Sequence, residues 1–530
     1  VKSFVGTSYD EVPYMAASFS NTHPEILAVT ALLRGLDPAP LSGARVLELG
    51  CARGANLVPM AVSMPGSEFV GVDLSPRQIE EARNMAAAIG VPNVAFHAMD
   101  LCDLDESFGQ FDYIVGHGLY SWVPADVQEA VLEVCSKRLS PHGIVYLSYN
   151  TFPGWHVSMM FRDMMMYRTR KITDPSERLR EARGFMQFLA TSARPADSLW
   201  AMMLHDEAEY LADATDWYLL HDDLEGENNP VYFSEMVERT AQHGLQYVTE
   251  ERWGTPDEIL SPETWKILDR FATDRVEREQ YLDFIRNGRF RRSLFCHAGI
   301  PIATGPVPDR LERCRFRTRV RPMDPSADPF APGEEGFVGD GGLSLTSGDV
   351  RLRALLHALY ERWPATLDFA GATDVLGEAV RRSTGSAPPP RPVLGRMLHQ
   401  ALLAQLVSPH LTDTPIAASV PERPSVPRVA RYQAGRPELV TNILHQSLDL
   451  EPLDRLVLPL LDGTRTAADV TAAIAAALAA GQLAPTATGK PPEEGGEEET
   501  AAQPAEEPKG AAELAEISLR RLTASCYVLG

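Results

Sequence analysis

At 530 residues the chain is too long for one domain, and about three are expected. Its 44% hydrophobic and 23% charged residues are those of an ordinary globular protein with a sizeable core. With 49 Lys and Arg against 72 Asp and Glu the net charge is −23, which disfavours phosphate backbones and anionic lipid as partners and suits a cationic ligand. The six cysteines are scattered, with no Cys-x-x-Cys pair and no zinc spacing, so neither a metal site nor a disulfide framework is expected. No signal-like start and no run of about 18 apolar residues is seen, so the expectation is a cytoplasmic protein without membrane insertion.

Residues 41–150 alternate short apolar runs with helical patterns, the mark of a parallel sheet wrapped by helices. This α/β, doubly wound domain is expected over 1–155. Its strands read 44–49, 68–73, 94–98, 113–116 and 143–149, and Ser75-Pro76 opens a helix to Ile89 as N-cap and first-turn proline. Segment 156–213 is helical, with Met159, Met160, Met164, Met165 and Met166 as a packing face. Residues 214–321 mix short helices with a turn-rich stretch at 225–230. Pro, Gly and Asp load 322–347, which reads as a linker. Region 348–530 opens with helices at 351–362, 370–381 and 393–406 and continues with a second helical unit at 440–480. Within it, 485–508 has seven glutamates between Glu493 and Glu507 and is expected to be disordered and dispensable for turnover.

The chemistry concentrates in Val46-Leu47-Glu48-Leu49-Gly50-Cys51-Ala52-Arg53-Gly54, where a buried strand ends in a glycine turn that opens a helix. A dinucleotide turn would need glycine at 52 and 55, and both are alanine. Glu48 would repel a pyrophosphate but suits the α-ammonium of S-adenosyl-L-methionine, whose sulfonium adds a second positive charge. Strand two ends in Gly71-Val72-Asp73-Leu74, where a carboxylate can accept both ribose hydroxyls; Asp100-Leu101 follows strand three, within reach of an adenine amino group. Strands four and five run into His117, Tyr120-Ser121-Trp122 and Tyr149-Asn150, then Trp155-His156. Ligands of open α/β sheets lie beyond these strand ends. His117 reads as a cofactor-edge or structural histidine, and the aromatic residues as either pocket walls or core.

Several strings then carry a resemblance: Tyr9-Asp10-Glu11-Val12-Pro13-Tyr14, Thr22-His23-Pro24, the turn from Glu48 to Asn56, Tyr120-Ser121-Trp122-Val123-Pro124 and the stretch from Ser148 to His156. With Asn228-Asn229-Pro230-Val231-Tyr232-Phe233 and Tyr281-Leu282-Asp283-Phe284, the chain resembles the bacterial class I methyltransferases that carry a methyltransferase regulatory domain. The resemblance implies a Rossmann-like fold, a regulatory domain at 214–321, a winged-helix-like region at 348–530, and a homodimer with 156–213 as connecting or dimerising segment. Described members include lysine methyltransferases of outer-membrane proteins. Carried over by position, Glu48, Gly50, Gly54, Asp73 and Asp100 match cofactor residues, and Cys51, Leu74, Leu101 and His117 are expected beside them. Ala52 departs from the usual glycine.

Nucleic-acid amino-methyltransferases usually carry an Asn/Asp-Pro-Pro-aromatic string where this chain has Gly116-His117-Gly118-Leu119, so nucleic acid is not the expected partner. Arg315, Arg317, Arg319 and Arg321 share one face of a strand and are expected to be solvated or salt-bridged rather than bound to phosphate. Residues 1–150 hold 17 acids and 8 bases, a field that draws in a lysine-bearing protein. Tyr120, Tyr149 and Asn150 are the candidates to deprotonate and orient its amine, with Trp122, Trp155 and His156 lining its approach. A small-molecule methyltransferase and a non-catalytic cofactor sensor are the alternatives.

Overall fold

The computed structural model describes residues 16–251, 260–303, 305, 307–339, 342–483 and 510–530. The string at 9–14 and the acidic stretch at 485–508 lie outside the described residues.

A seven-stranded sheet organises the first 300 residues: β1 (Arg45–Leu49), β2 (Glu68–Asp73), β3 (Val94–Ala98), β4 (Phe111–Gly116), β5 (Leu139–Asn150), β6 (Leu245–Glu250) and β7 (Phe290–His297), in the order β3-β2-β1-β4-β5-β7-β6. The first five are parallel; β7 runs antiparallel to β5, and β6 antiparallel to β7. The expected regulatory segment therefore finishes the sheet of the first domain rather than standing apart from it. Side chains alternate across the sheet as a pleat requires. Ile144 and Tyr146 pack on one face with the helix Leu57–Ser63, while Val145, Leu147 and Tyr149 pack on the other with Ala125–Arg138 and Phe233–Gln242. The helix Pro76–Ile89 begins where Ser75 Oγ accepts the Gln78 N–H at 3.1 Å and ends at Gly90, in the left-handed region at φ 76°.

Between β5 and β6 the helices Gly154–Thr169, Pro175–Ser192 and Leu199–Asp213 build a small core of their own around Phe161, Met165, Met186 and Leu204. A π-helical turn, Leu219–Asp223, then brings the chain back over the sheet's edge.

The 322–347 stretch is not a linker. Arg321–Pro322, Glu335–Val338 and Ser344–Ser347 form an antiparallel three-stranded sheet, with Phe337 fully buried. Pro325, Pro329, Pro332 and Gly333 lie in the connection between the first two strands, and Glu335 is buried between Arg353 and His357 at 3.1 and 2.6 Å.

Beyond it lie two cores, one over 311–411 and one over 417–528. Three of the four arginines expected on one strand face brace them internally, and the fourth, Arg321, is exposed. Arg317 is buried against His410, Arg315 pairs with Asp413 at 2.9 Å, and Arg319 reaches Gln446 at 3.1 Å. The helix Pro24–Leu33 joins front to back: Leu27, Ala28 and Ala31 face the large sheet, while Val29, Leu32 and Leu33 face the 311–411 core. A helix apolar on every side is a helix buried on every side. Among the described residues no helix is long and apolar enough to cross a membrane.

Candidate functional site

The turn after β1 is built by its own backbone. Gly50 and Cys51 N–H both donate to the Val72 carbonyl, at 2.8 and 3.1 Å, which folds the chain over the end of β2. The path requires positive φ at Gly50 (72°) and Gly54 (72°), and Ala52 adopts 46° with a side chain. Ala52 N–H then donates to Asp73 Oδ2, and Ser75 N–H to Asp73 Oδ1, both at 2.9 Å. These two backbone donors help to aim the Asp73 carboxylate.

These elements border a cavity of about 940 Å³ beyond the C-terminal ends of β1, β2, β4 and β5. Glu48 lines it at 5% exposure. Its Oε1 accepts Asn56 Nδ2 at 2.6 Å, and its Oε2 has no hydrogen-bond partner among the described residues. Burial, and then Asp73, push the Glu48 carboxyl up to about 8. A buried carboxyl oxygen without a donor is costly, and a cationic N–H donor would relieve it. Asp100, whose Oδ1 accepts the Cys102 N–H at 3.0 Å, lines the cavity with Cys51, Leu74 and Leu101. The His117 ring packs tilted against Phe19 at 4.2 Å, with its Nδ1 3.0 Å from the Tyr146 hydroxyl; burial and Arg292 lower it to about 4, so it is neutral. The orphan oxygen, the two aimed aspartates and the apolar walls fit an ammonium-bearing nucleoside such as S-adenosylmethionine, and the volume leaves room for an acceptor beside it.

The other end of the cavity is aromatic and acidic. Trp122 and Trp155 meet edge-on at 6.2 Å, and Tyr210 and Tyr218 at 6.4 Å. Asn150 donates its Nδ2 to Asn228 Oδ1 at 3.0 Å, which leaves its carbonyl oxygen as the free acceptor. Asp222, Glu225 and Glu227 come in from the π-helical turn and the residues after it. Burial, and then Asp223, raise Asp222 to about 7, and the same two causes raise Glu207, on the helix Leu199–Asp213, to about 7. Asp222 Oδ2 is buried without a hydrogen-bond partner among the described residues. A carboxyl group shifted to about 7 therefore stands at the mouth.

Four expected site residues stand elsewhere. Tyr120 and Tyr149 are 0% and 1% exposed and pack in the core beneath the sheet: the pleat turns Tyr149 inward, its hydroxyl 2.8 Å from Ser293 Oγ, and Tyr120, in the 3-10 turn Tyr120–Trp122, meets the Tyr149 ring edge-on. His156 is exposed and stacks on Phe152 at 4.0 Å, away from the cavity. Gly54 is needed for packing, since a Cβ there would sit 2.7 Å from the Phe96 ring, and it does not line the cavity. The cavity gathers Glu48, Gly50, Cys51, Asp73, Leu74, Asp100, Leu101, His117, Trp122, Asn150 and Trp155. Tyr210, Tyr218, Asp222, Glu225, Glu227 and Arg289 were not anticipated; the only hint was the acid-rich, turn-rich stretch before Pro230.

Three family models match the chain: a methyltransferase domain over 46–143, a predicted methyltransferase regulatory domain over 215–297, and the C-terminal winged helix domain of PKMT over 422–508. Protein RP789 of Rickettsia prowazekii (strain Madrid E), itself uncharacterized, is 32% identical over 90% of this chain and 87% of its own. Protein RP028 of the same organism is 40% identical over 44% of this chain and 93% of its own. The structure of PKMT2 from Rickettsia typhi in complex with AdoHcy superposes with a TM-score of 0.82 at 29% identity, covering 98% of this chain and all of that one.

Proposed function

Because the chain belongs to the S-adenosylmethionine-dependent methyltransferases that join a regulatory domain to a PKMT winged helix domain, we propose that its methyl acceptor is the side-chain amine of lysine in a protein. The observation that carries the reading is the mouth. Asp222, Glu225 and Glu227 supply negative charge, and Trp122, Trp155, Tyr210 and Tyr218 supply aromatic walls, at the end of the same cavity that holds Glu48 and Asp73. Cations are drawn by carboxylates and by ring faces alike.

In this reading Glu48 holds the cofactor's α-ammonium, Asp73 its ribose hydroxyls and Asp100 its adenine amino group, with Gly50, Cys51, Leu74, Leu101 and His117 as walls. When bound, S-adenosylmethionine supplies an electrophilic methyl on its sulfonium. A lysine amine is on the order of 0.1% neutral at pH 7.4, so the protein must remove a proton. Asp222 Oδ2 takes that proton from Nζ, and Asn150 Oδ1 accepts a remaining N–H to turn the lone pair toward the methyl. Trp122 and Trp155 keep water out, which favours the neutral amine. The same proposal places the reaction in the cytoplasm, on protein rather than nucleic acid, in a homodimer closing over Phe188, Leu199 and Met202 of the helical segment, which are 59%, 73% and 55% exposed.

The test is to incubate the protein with methyl-labelled S-adenosylmethionine and lysine-bearing protein, then hydrolyse and identify the labelled product. Labelled methyl-lysine is expected. Label confined to small molecules or to nucleic acid overturns the acceptor assignment.

A further inference from the structure

The C-terminal unit reaches the cofactor side of the methyltransferase core through one turn. Between the short strands Val440–Thr441 and Ser447–Leu448, Asn442 Oδ1 accepts the N–H groups of Leu444 and Gln446, both at 2.9 Å. That bracket holds His445 in the left-handed region at φ 58°, 5% exposed. Ser447 Oγ accepts the Ser18 N–H at 2.7 Å and so clips the turn to the core.

From there His445 Nε2 lies 2.9 Å from Asn56 Oδ1, across 389 positions of sequence. The same Oδ1 accepts the Phe19 N–H at 2.9 Å. An oxygen facing a backbone donor is an acceptor, so His445 is the Nε2–H tautomer and donates. Two donors on one side of the Asn56 amide fix which way it faces: a flip would set its NH₂ against both. Its Nδ2 is therefore committed to the other side, to Thr22 Oγ1 at 3.0 Å and Glu48 Oε1 at 2.6 Å. One oxygen of Glu48 is thereby satisfied and held, and Oε2 is the oxygen left over.

We propose that His445 is a positioning residue of the cofactor site: acting through Asn56, the docked C-terminal unit fixes the Glu48 carboxylate that receives the cofactor's α-ammonium. The inference rests on the assignment of Glu48 to that ammonium and is independent of the methyl acceptor. It makes cofactor affinity a property of the whole chain. Whatever loosens the C-terminal unit from the core takes away one of the two donors that orient the Asn56 amide and weakens the ammonium's hold.

The test compares two ligands that differ in the group concerned. S-adenosylhomocysteine carries the α-ammonium; methylthioadenosine has the same nucleoside and sulfur without the amino-acid part. His445→Asn keeps a side chain at home in the left-handed region but is too short to reach Asn56, whereas His445→Gln places an N–H donor at the reach of Nε2. By calorimetric titration of the full chain, His445→Asn should bind S-adenosylhomocysteine about tenfold more weakly, the scale of one charge-assisted hydrogen bond, and methylthioadenosine within about twofold of the parent. His445→Gln should recover most of the loss. Unchanged S-adenosylhomocysteine binding in His445→Asn, equal losses for the two ligands, or a Gln variant as weak as Asn would each overturn the proposal. Glu48→Gln separates the underlying assignment: if it weakens both ligands equally or neither, the assignment of Glu48 to the ammonium is what fails.

Discussion

Glu48 and Asp222 are both carboxyl groups that burial has moved toward neutrality, yet they meet opposite demands. Glu48, at about 8 in the free protein, is mostly protonated at pH 7, and an ammonium beside it favours the carboxylate. Cofactor binding at pH 7 should therefore release about 0.9 proton, and affinity should rise with pH until about 8. Titrations in two buffers of different ionisation heat measure the release, which Glu48→Gln should abolish. Asp222, at about 7, must instead be ionised before it can accept a proton, so turnover should climb with pH through that value. Asp222→Asn should lose about 100-fold in kcat and flatten that limb, with cofactor affinity unchanged. A mutant profile that keeps its inflection near 7 would assign the proton to another group, Glu207 being the neighbour raised to the same range.

At the scale of elements, the strands differ in what secures them. Local chemistry marks the helix Pro76–Ile89, with its Ser-Pro start and Gly90 stop, and β1 to β3, with their apolar runs, and these were legible in the sequence almost to the residue. β7 was not, because Phe290-Arg291-Arg292 looks like solvent-facing chain. Arg291 is in fact buried, paired with Asp283 at 2.8 Å and Glu250 at 3.0 Å, reaching Glu279 at 3.2 Å, and lying over the Phe233 ring at 4.0 Å. Those partners come from β6 and the helices Phe233–Gln242 and Arg275–Arg286, so only the assembled fold reveals them. Arg291→Met should cost about 3–5 kcal/mol in urea unfolding, since it strands buried acids without a counter-charge. Tyr149, on the neighbouring strand, bonds Ser293, which bonds Glu250 at 2.7 Å. Tyr149→Phe should cost about 1 kcal/mol and leave turnover within about twofold. A tenfold fall in kcat would return that tyrosine to the mechanism. The cofactor half of the cavity was readable for the reason β1 was: each of its parts is a local strand end, of β1, β2, β3 and β4. In the acceptor half Trp122, Asn150 and Trp155 were legible, but the acids were hidden, because a π-helical turn between distant helices carries Asp222 there and no sequence period announces such a turn.

For the whole molecule, the proposed homodimer makes a direct statement about the helical segment. Leu199→Asp with Met202→Asp should convert the particle to a monomer by light scattering while the melting temperature moves little, since both side chains are more than half exposed within the chain. A dimer that survives both changes places the interface elsewhere. The helix Pro24–Leu33 has a consequence of another kind. It is the shared wall of two cores, giving Leu27, Ala28 and Ala31 to one and Val29, Leu32 and Leu33 to the other. Neither core can be dismantled without stripping one side of that wall and baring an apolar stripe to water. The 311–411 unit is thus no removable appendage. A chain cut before the 311–411 core would be sticky rather than merely shorter, and heating the intact protein should melt front and middle together as one cooperative event.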